Sequence, residues 1–281
     1  MGNNAVTYEP DNSLKKGYAS LIRDIVNEFI INRWLFWQLF KRDFLAVYKQ
    51  SFIGVFWALI IPLISVGTFV LLNRSGIFVA GSINVPYPVY AVLGMAFWQL
   101  FSTGLLAGSN SLVKAGSMVV KINFSKKSLV LASSSQGIVS FAVQLLLGVI
   151  LCFAYGIIPK WQILFVPFAI LPLLLLTFGI SLLLAVLNGV MRDVGNVITF
   201  LLTFLMFLTP VLYAAPESGF LAELMRLNPL SYLISAPRQL ILYGTIYEWR
   251  GFMYSSLISV FVFIFCLLAF HLTETRVAER I

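Results

Sequence analysis

Between Lys160 and Arg192 the chain reads WQILFVPFAILPLLLLTFGISLLLAVLNGVM, without one charged residue. As a helix, such a run exceeds the roughly 30 Å of hydrocarbon in a bilayer, at about 1.5 Å per residue. A water-soluble domain cannot bury it on every side. The remainder of the 281-residue chain agrees, being 60% hydrophobic and 11% charged with a mean hydropathy of +0.93. That leaves too little polar surface for water, so lipid is the solvent. The expected fold class is an all-α membrane protein with six transmembrane helices, over 52–73, 88–108, 130–156, 162–190, 196–214 and 252–272.

Basic residues set the expected orientation. Lys15, Lys16, Arg23, Arg33, Lys41, Arg42 and Lys49 precede the first span, and Lys114, Lys121, Lys126 and Lys127 lie between the second and third. With Arg192, Arg276 and Arg280, fourteen of the nineteen Lys and Arg fall on the side of the N-terminus. Arg74, Lys160, Arg226, Arg238 and Arg250 fall on the other. Both termini are therefore expected in the cytoplasm, and the net charge of +8 reflects topology, with no nucleic-acid partner implied. The first 51 residues lack an early apolar run, so no cleavable signal peptide is expected. Three parts follow: a cytoplasmic segment 1–51, a membrane domain 52–272 and a tail 273–281.

Several chemistries lack their residues. No predicted span carries an acid or base deep in its core, which weakens an ion-coupled mechanism. No GxxxxGK[ST] loop is present to hold a nucleotide. The single histidine, His271, has neither a nucleophile nor a second acid near it in sequence and reads as interfacial. Cys152 and Cys266 sit among Leu, Ile and Phe as small apolar filler, with no metal-ligand spacing. Glu217, Glu223 and Glu248 are carboxylates expected outside the membrane, and their spacing demands no acid–base pair. The chain reads as a transport subunit and not an enzyme, with no cofactor of its own.

Two segments are neither span nor ordinary loop. Trp34, Trp37, Phe40, Phe44 and Tyr48 recur at helical spacing beside Arg33, Lys41, Arg42 and Lys49, which predicts an amphipathic helix over about 33–50 in the headgroup plane. RLNPLSYLISAPRQLILYG, Arg226 to Gly244, has helical apolar periodicity but is too short to cross. It is read as short re-entrant helices, about 218–227 and 230–242, with breaks at Asn228–Pro229 and near Pro237. The alternative is an amphipathic helix resting on the outer leaflet. Between the second and third spans, Leu112, Val113, Met118, Val119, Val120 and Ile122 alternate with lysines. That pattern suits docking in a partner's groove or lying on anionic lipid. Gln144 is read as an interhelical hydrogen-bonding residue, and the run Ser133–Ser135 is left open between such contacts and a wet path.

Three stretches carry a resemblance. RDFLAVYKQSFIGVFWALIIP (42–62), MRDVGNVITFLLTFLMFLTPVLY (191–213) and LNPLSYLISAPRQLILYG (227–244) are similar, in order and topology, to polysaccharide-exporting ABC transporter permeases. Val47 departs from the pattern, which commonly has a basic residue there, and the first 30 residues match none of it. The resemblance implies a homodimer of permeases with two separate ATP-binding subunits, ATP and Mg²⁺ residing on those partners. It implies a lipid-linked polysaccharide as cargo, O-antigen first, with capsular polysaccharide and teichoic acid as alternatives, and the bacterial inner membrane as location. A flippase needing no ATPase and an enzyme on lipid-linked sugars are the rival classes.

The resemblance also assigns residues. Phe56, Trp57, Phe97, Trp98, Phe204 and Phe207 are expected along the translocation path, where rings pack weakly on sugar C–H faces. Arg42, Asp43, Lys49, Lys114, Met118, Lys121, Arg192 and Asp193 are expected on the surface that couples to the ATPase. Asn228, Pro229, Tyr232, Pro237 and Arg238 are expected in an extracytoplasmic gate.

Overall fold

A computed structural model describes residues 27, 30–48, 57–77, 81, 83–116, 125–191 and 193–277. Among these the regular structure is all helical: α1 (Arg33–Tyr48), α2 (Trp57–Arg74), α3 (Tyr87–Ser109), α4 (Ser111–Ala115), α5 (Lys126–Ser134), α6 (Gln136–Ala154), a 3-10 turn at Trp161–Phe165, α7 (Val166–Val190), α8 (Val194–Phe207), α9 (Phe220–Leu227), α10 (Pro229–Tyr243) and α11 (Trp249–Val277).

Among the described residues four helical stretches are long and apolar enough to cross a membrane: Tyr87–Ser109, Lys126–Ala154, Trp161–Val190 and Trp249–Thr273. The apolar parts of α2 and α8 are shorter. The expected third span begins earlier than its apolar run, at Lys126, where Ser125 caps α5 by accepting from the Ser128 N–H. It turns once at Ser135 before α6. The fifth span, expected over 196–214, stops at Phe207. Its 14 residues reach only about 21 Å. Pro210 explains the stop, because it has no N–H to give and its ring would clash with the carbonyl four residues back. No break occurs near Pro237, whose ring is buried within a continuous α10. The Asn228–Pro229 junction does separate α9 from α10.

α3 is the central post. Most of its residues are buried, and it packs along α6 and α7, while α11 lies against α7 and α10. Where lipid and core are equally apolar, helices associate through close packing of small residues. Gly137 is the sharpest instance. A Cβ there would lie 2.3 Å from the Leu100 carbonyl oxygen and 2.9 Å from the Gly104 nitrogen. At the same crossing the Ser134 and Ser181 hydroxyls share a 3.2 Å hydrogen bond.

A second, smaller core joins Leu39 of α1 to Leu112 of α4, Leu129 of α5, Leu182 of α7 and Phe270 of α11. It fixes α1 against α5 through Leu39, while Trp34 and Trp37 remain 70% and 58% exposed. A helix does occupy the segment expected to be interfacial, with one face on protein and its tryptophans outward. Cys152 and Cys266 are buried free thiols. Gln144, expected to bond between helices, is buried, and among the described residues its Oε1 finds no hydrogen-bond partner.

Candidate functional site

α8 is shallowly embedded, burying only Ile198 and Leu202. It is held at its two ends by polar side chains instead.

At its C-terminal end Pro210 leaves carbonyls that no helix can use. α10 supplies the donors. Asn228 caps α10 by accepting from the Leu230 N–H, with Pro229 following in the first helical position where a missing N–H costs nothing. The same side chain donates to the Leu208 carbonyl at 3.1 Å and to Thr209 Oγ1 at 3.0 Å. Arg238, only 3% exposed, donates to the Val211 and Pro210 carbonyls at 2.8 and 2.9 Å. Its guanidinium carbon lies 3.9 Å from the centre of the Tyr90 ring, and the Tyr90 hydroxyl donates to the Tyr213 carbonyl at 3.0 Å.

Among the described residues Arg238 meets carbonyls, a hydroxyl and a ring face, and no carboxylate. Carbonyl dipoles at the negative end of α8 and the π face therefore carry the charge. Hydrogen bonds to a charged group are worth about 1.5–3 kcal/mol each. Two of them with the ring contact offset a desolvation cost of several kcal/mol. Gly94 of α3 makes room, since a Cβ there would lie 2.0 Å from the Val211 oxygen and 2.8 Å from Arg238 Nη1.

At the N-terminal end one side chain joins three elements. Asn188, buried near the end of α7, donates to the Ser109 carbonyl at 3.1 Å and to Asn110 Oδ1 at 3.0 Å. Its own oxygen accepts from the Gly195 N–H of α8 at 3.0 Å. The α7–α8 turn is thereby tied to the point where α3 gives way to α4. α3 is thus the shared anchor for both ends of α8. Between them Phe200, Phe204 and Phe207 face outward, 72%, 54% and 55% exposed.

The structure sorts the expected aromatics. Phe204, Phe207 and Trp57 present exposed rings. Phe97 and Trp98 are core instead, Phe97 fully buried against Phe141 and Trp98 against Phe101; their rings have no surface to offer a polymer. Phe56 lies outside the described residues, as do Lys49, Met118, Lys121 and Arg192.

Of the expected coupling residues, Lys114 and Asp193 are exposed near the Asn188 junction. Arg42 and Asp43 sit elsewhere, on α1. They pair at 2.8 Å, and Asp43 also accepts from Ser133 of α5 at 2.6 Å. Gln136 donates to the Phe40 carbonyl at 3.4 Å beside it. Asp43 therefore anchors α1 to the bundle. A serine–carboxylate bond is worth about 1.5–3 kcal/mol. Asp43→Ala and Ser133→Ala are each expected to lower thermal stability in detergent, and the double variant to lose less than their sum. Additive losses would show that the two side chains do not act as a pair.

Of the expected gate residues, Asn228 and Arg238 converge on the end of α8, with Pro229 in the first turn of α10 and Pro237 buried in its middle. Tyr232 points away from them and donates to the Arg226 carbonyl at 3.0 Å. Sequence reading assigned no role to Tyr90, Gly94, Asn110 or Asn188. A lone asparagine ahead of the Arg-Asp turn was the available signal.

The profile of the ABC-2 type transporter family matches residues 35–242. The O-antigen export system permease protein RfbA of Myxococcus xanthus is 28% identical over 216 residues, spanning 75% of this chain and 82% of that protein. A protein of the same name from Klebsiella pneumoniae is 25% identical over 223 residues, spanning 76% and 83%. The family match runs from α1 through the Asn228–Arg238 latch, so both ends of α8 lie inside it, and the chain belongs to the ABC-2 type transporter family.

Proposed function

We propose that this chain is the permease subunit of an ATP-driven exporter that carries a lipid-linked polysaccharide, O-antigen in the first instance, across the bacterial inner membrane. The family match over most of the chain carries this reading, and relatives named for O-antigen export support the choice of cargo. In it α2 and α8 complete six crossings with the four long spans. The unwound residues after Phe207 make up the depth that α8 lacks. α9 and α10 are re-entrant on the extracytoplasmic side, and the excess of basic residues puts both termini in the cytoplasm.

Two permeases meet about a two-fold axis with two ATP-binding subunits below them. The exposed phenylalanines of α8 and Trp57 of α2 face the conduit, where shallow ring contacts hold sugars without trapping them. Force enters at α1, at Lys114 and at the α7–α8 turn. It reaches the exit because α8 is latched at both ends to α3.

Purification with a co-encoded ATP-binding subunit and assay of ATP hydrolysis with and without lipid-linked O-antigen tests the reading. Deletion of the gene is expected to strip O-antigen from the cell surface, and unchanged surface glycan would sink it. Trp57→Ala, Phe204→Ala and Phe207→Ala combined are expected to cut export by at least about tenfold, at about 0.5–1.5 kcal/mol per lost ring contact. Normal export at normal protein levels would remove these rings from the path.

A further inference from the structure

The loop between α10 and α11 builds a cleft that the transport reading does not use. Arg226 at the end of α9, Tyr232 of α10, and Tyr247, Glu248, Trp249 and Arg250 at the start of α11 line an open pocket of 530 Å³. Its walls are fixed. The Tyr232 ring lies directly on α11 at Gly251, where a Cβ would come within 2.2 Å of a ring carbon. The Tyr232 hydroxyl holds the Arg226 carbonyl at 3.0 Å, and the Tyr247 N–H donates to Gln239 Oε1 at 3.0 Å.

The charges are not fixed in the same way. Arg226 gives one N–H to the Glu217 carbonyl at 3.3 Å, and no salt bridge joins Arg226, Glu248 and Arg250 among the described residues. Two guanidiniums and one carboxylate thus share a cleft without neutralising one another. Arg250 also stands in the first turn of a 29-residue helix that has no acid in that turn, so its charge adds to the positive end of the helix dipole. Trp249 and Tyr247 are 55% and 66% exposed, as rings at headgroup depth are.

We propose that this cleft binds the headgroup of a zwitterionic glycerophospholipid of the surrounding bilayer. The phosphate matches the two arginine forks, which favour planar, bidentate contact with anionic oxygens. The ammonium matches Glu248 and the faces of Tyr247 and Trp249. A simple anion site would have no use for the carboxylate. The inference rests on the membrane placement of α11 in the preceding section and is independent of ATP and of the cargo.

The test is native mass spectrometry of the full chain in detergent, titrated with phosphatidylethanolamine or phosphatidylglycerol of equal chain length. A one-to-one phosphatidylethanolamine adduct is expected, favoured over phosphatidylglycerol about tenfold, the scale of one ammonium–carboxylate and ring contact. Glu248→Gln should erase the preference while keeping phosphate binding. Arg226→Gln with Arg250→Gln should lose both lipids, and Arg74→Gln, exposed at the end of α2, should change neither. Glu248→Gln swaps one surface oxygen for nitrogen, so folding does not confuse that arm. Equal binding of the two lipids by the unaltered chain, or adducts that survive the double arginine variant, would overturn the proposal. A chain that keeps the adduct but exports nothing would count against the transport reading alone.

Discussion

Arg238→Met is expected to destabilise the protein by about 2–6 kcal/mol, because it strands two buried carbonyls at roughly 1–3 kcal/mol each. Pro210 and Val211 have no alternative donor in a helix that has already ended. The methionine fills similar volume, so the loss measures the hydrogen bonds and not a cavity. Arg238→Lys should recover only part of it, since a point-like ammonium cannot serve two carbonyls and lie flat on Tyr90 at once. Tyr90→Leu removes the ring contact, at about 2 kcal/mol when desolvated, together with the hydroxyl's bond to the Tyr213 carbonyl. Thermal unfolding in detergent, followed by size-exclusion fluorescence, reads all three. If the methionine variant melts with the unaltered protein, the latch at the end of α8 has no energetic standing.

The second large effect lies at the other end of α8. Asn188→Leu preserves size but leaves the Ser109 carbonyl and the Gly195 N–H without their partner, and Asn110 Oδ1 with them. At about 1–3 kcal/mol per buried orphan, the start of α8 should detach from the α3–α4 junction before the bundle unfolds. A cysteine pair reporting the α3–α8 separation should then show a broadened distribution. In the assembled transporter, glycan stimulation of ATP hydrolysis should fall while the basal rate persists. A variant with wild-type spacing and full stimulation would show that α8 takes its position from packing alone. That outcome is not expected of a helix with two buried residues.

What the sequence revealed follows physical locality. Hydropathy over about twenty residues reports the solvent, so the membrane class and the four long helices were legible from composition and run length. Chain punctuation is equally local. Asn228–Pro229 marks the start of α10 and Gly244, at φ 71°, its end, while Pro210 sets the length of α8. The span expected over 196–214 was too long because hydropathy continues past Pro210 when the helix does not. Arg42, Asp43 and Arg238 were singled out through the family resemblance of their stretches, which local hydropathy alone does not supply.

Partners were not legible, for a reason particular to lipid-embedded chains. Lipid and protein core are equally apolar, so a phenylalanine carries no mark of which it will face. Phe97 and Phe204 look alike in sequence, yet one is fully buried and the other half-exposed. Nor can the sequence say that Asn188 will meet Ser109, 79 residues away, or that Tyr90 will support a carbonyl 123 residues on. The sequence by itself determined the solvent, the helices and their stops, because each depends on neighbours within a few turns. Only the tertiary structure decided that both ends of α8 are tied to α3. That choice depends on which buried donors and acceptors meet when the helices pack, where no water is present to satisfy the rest.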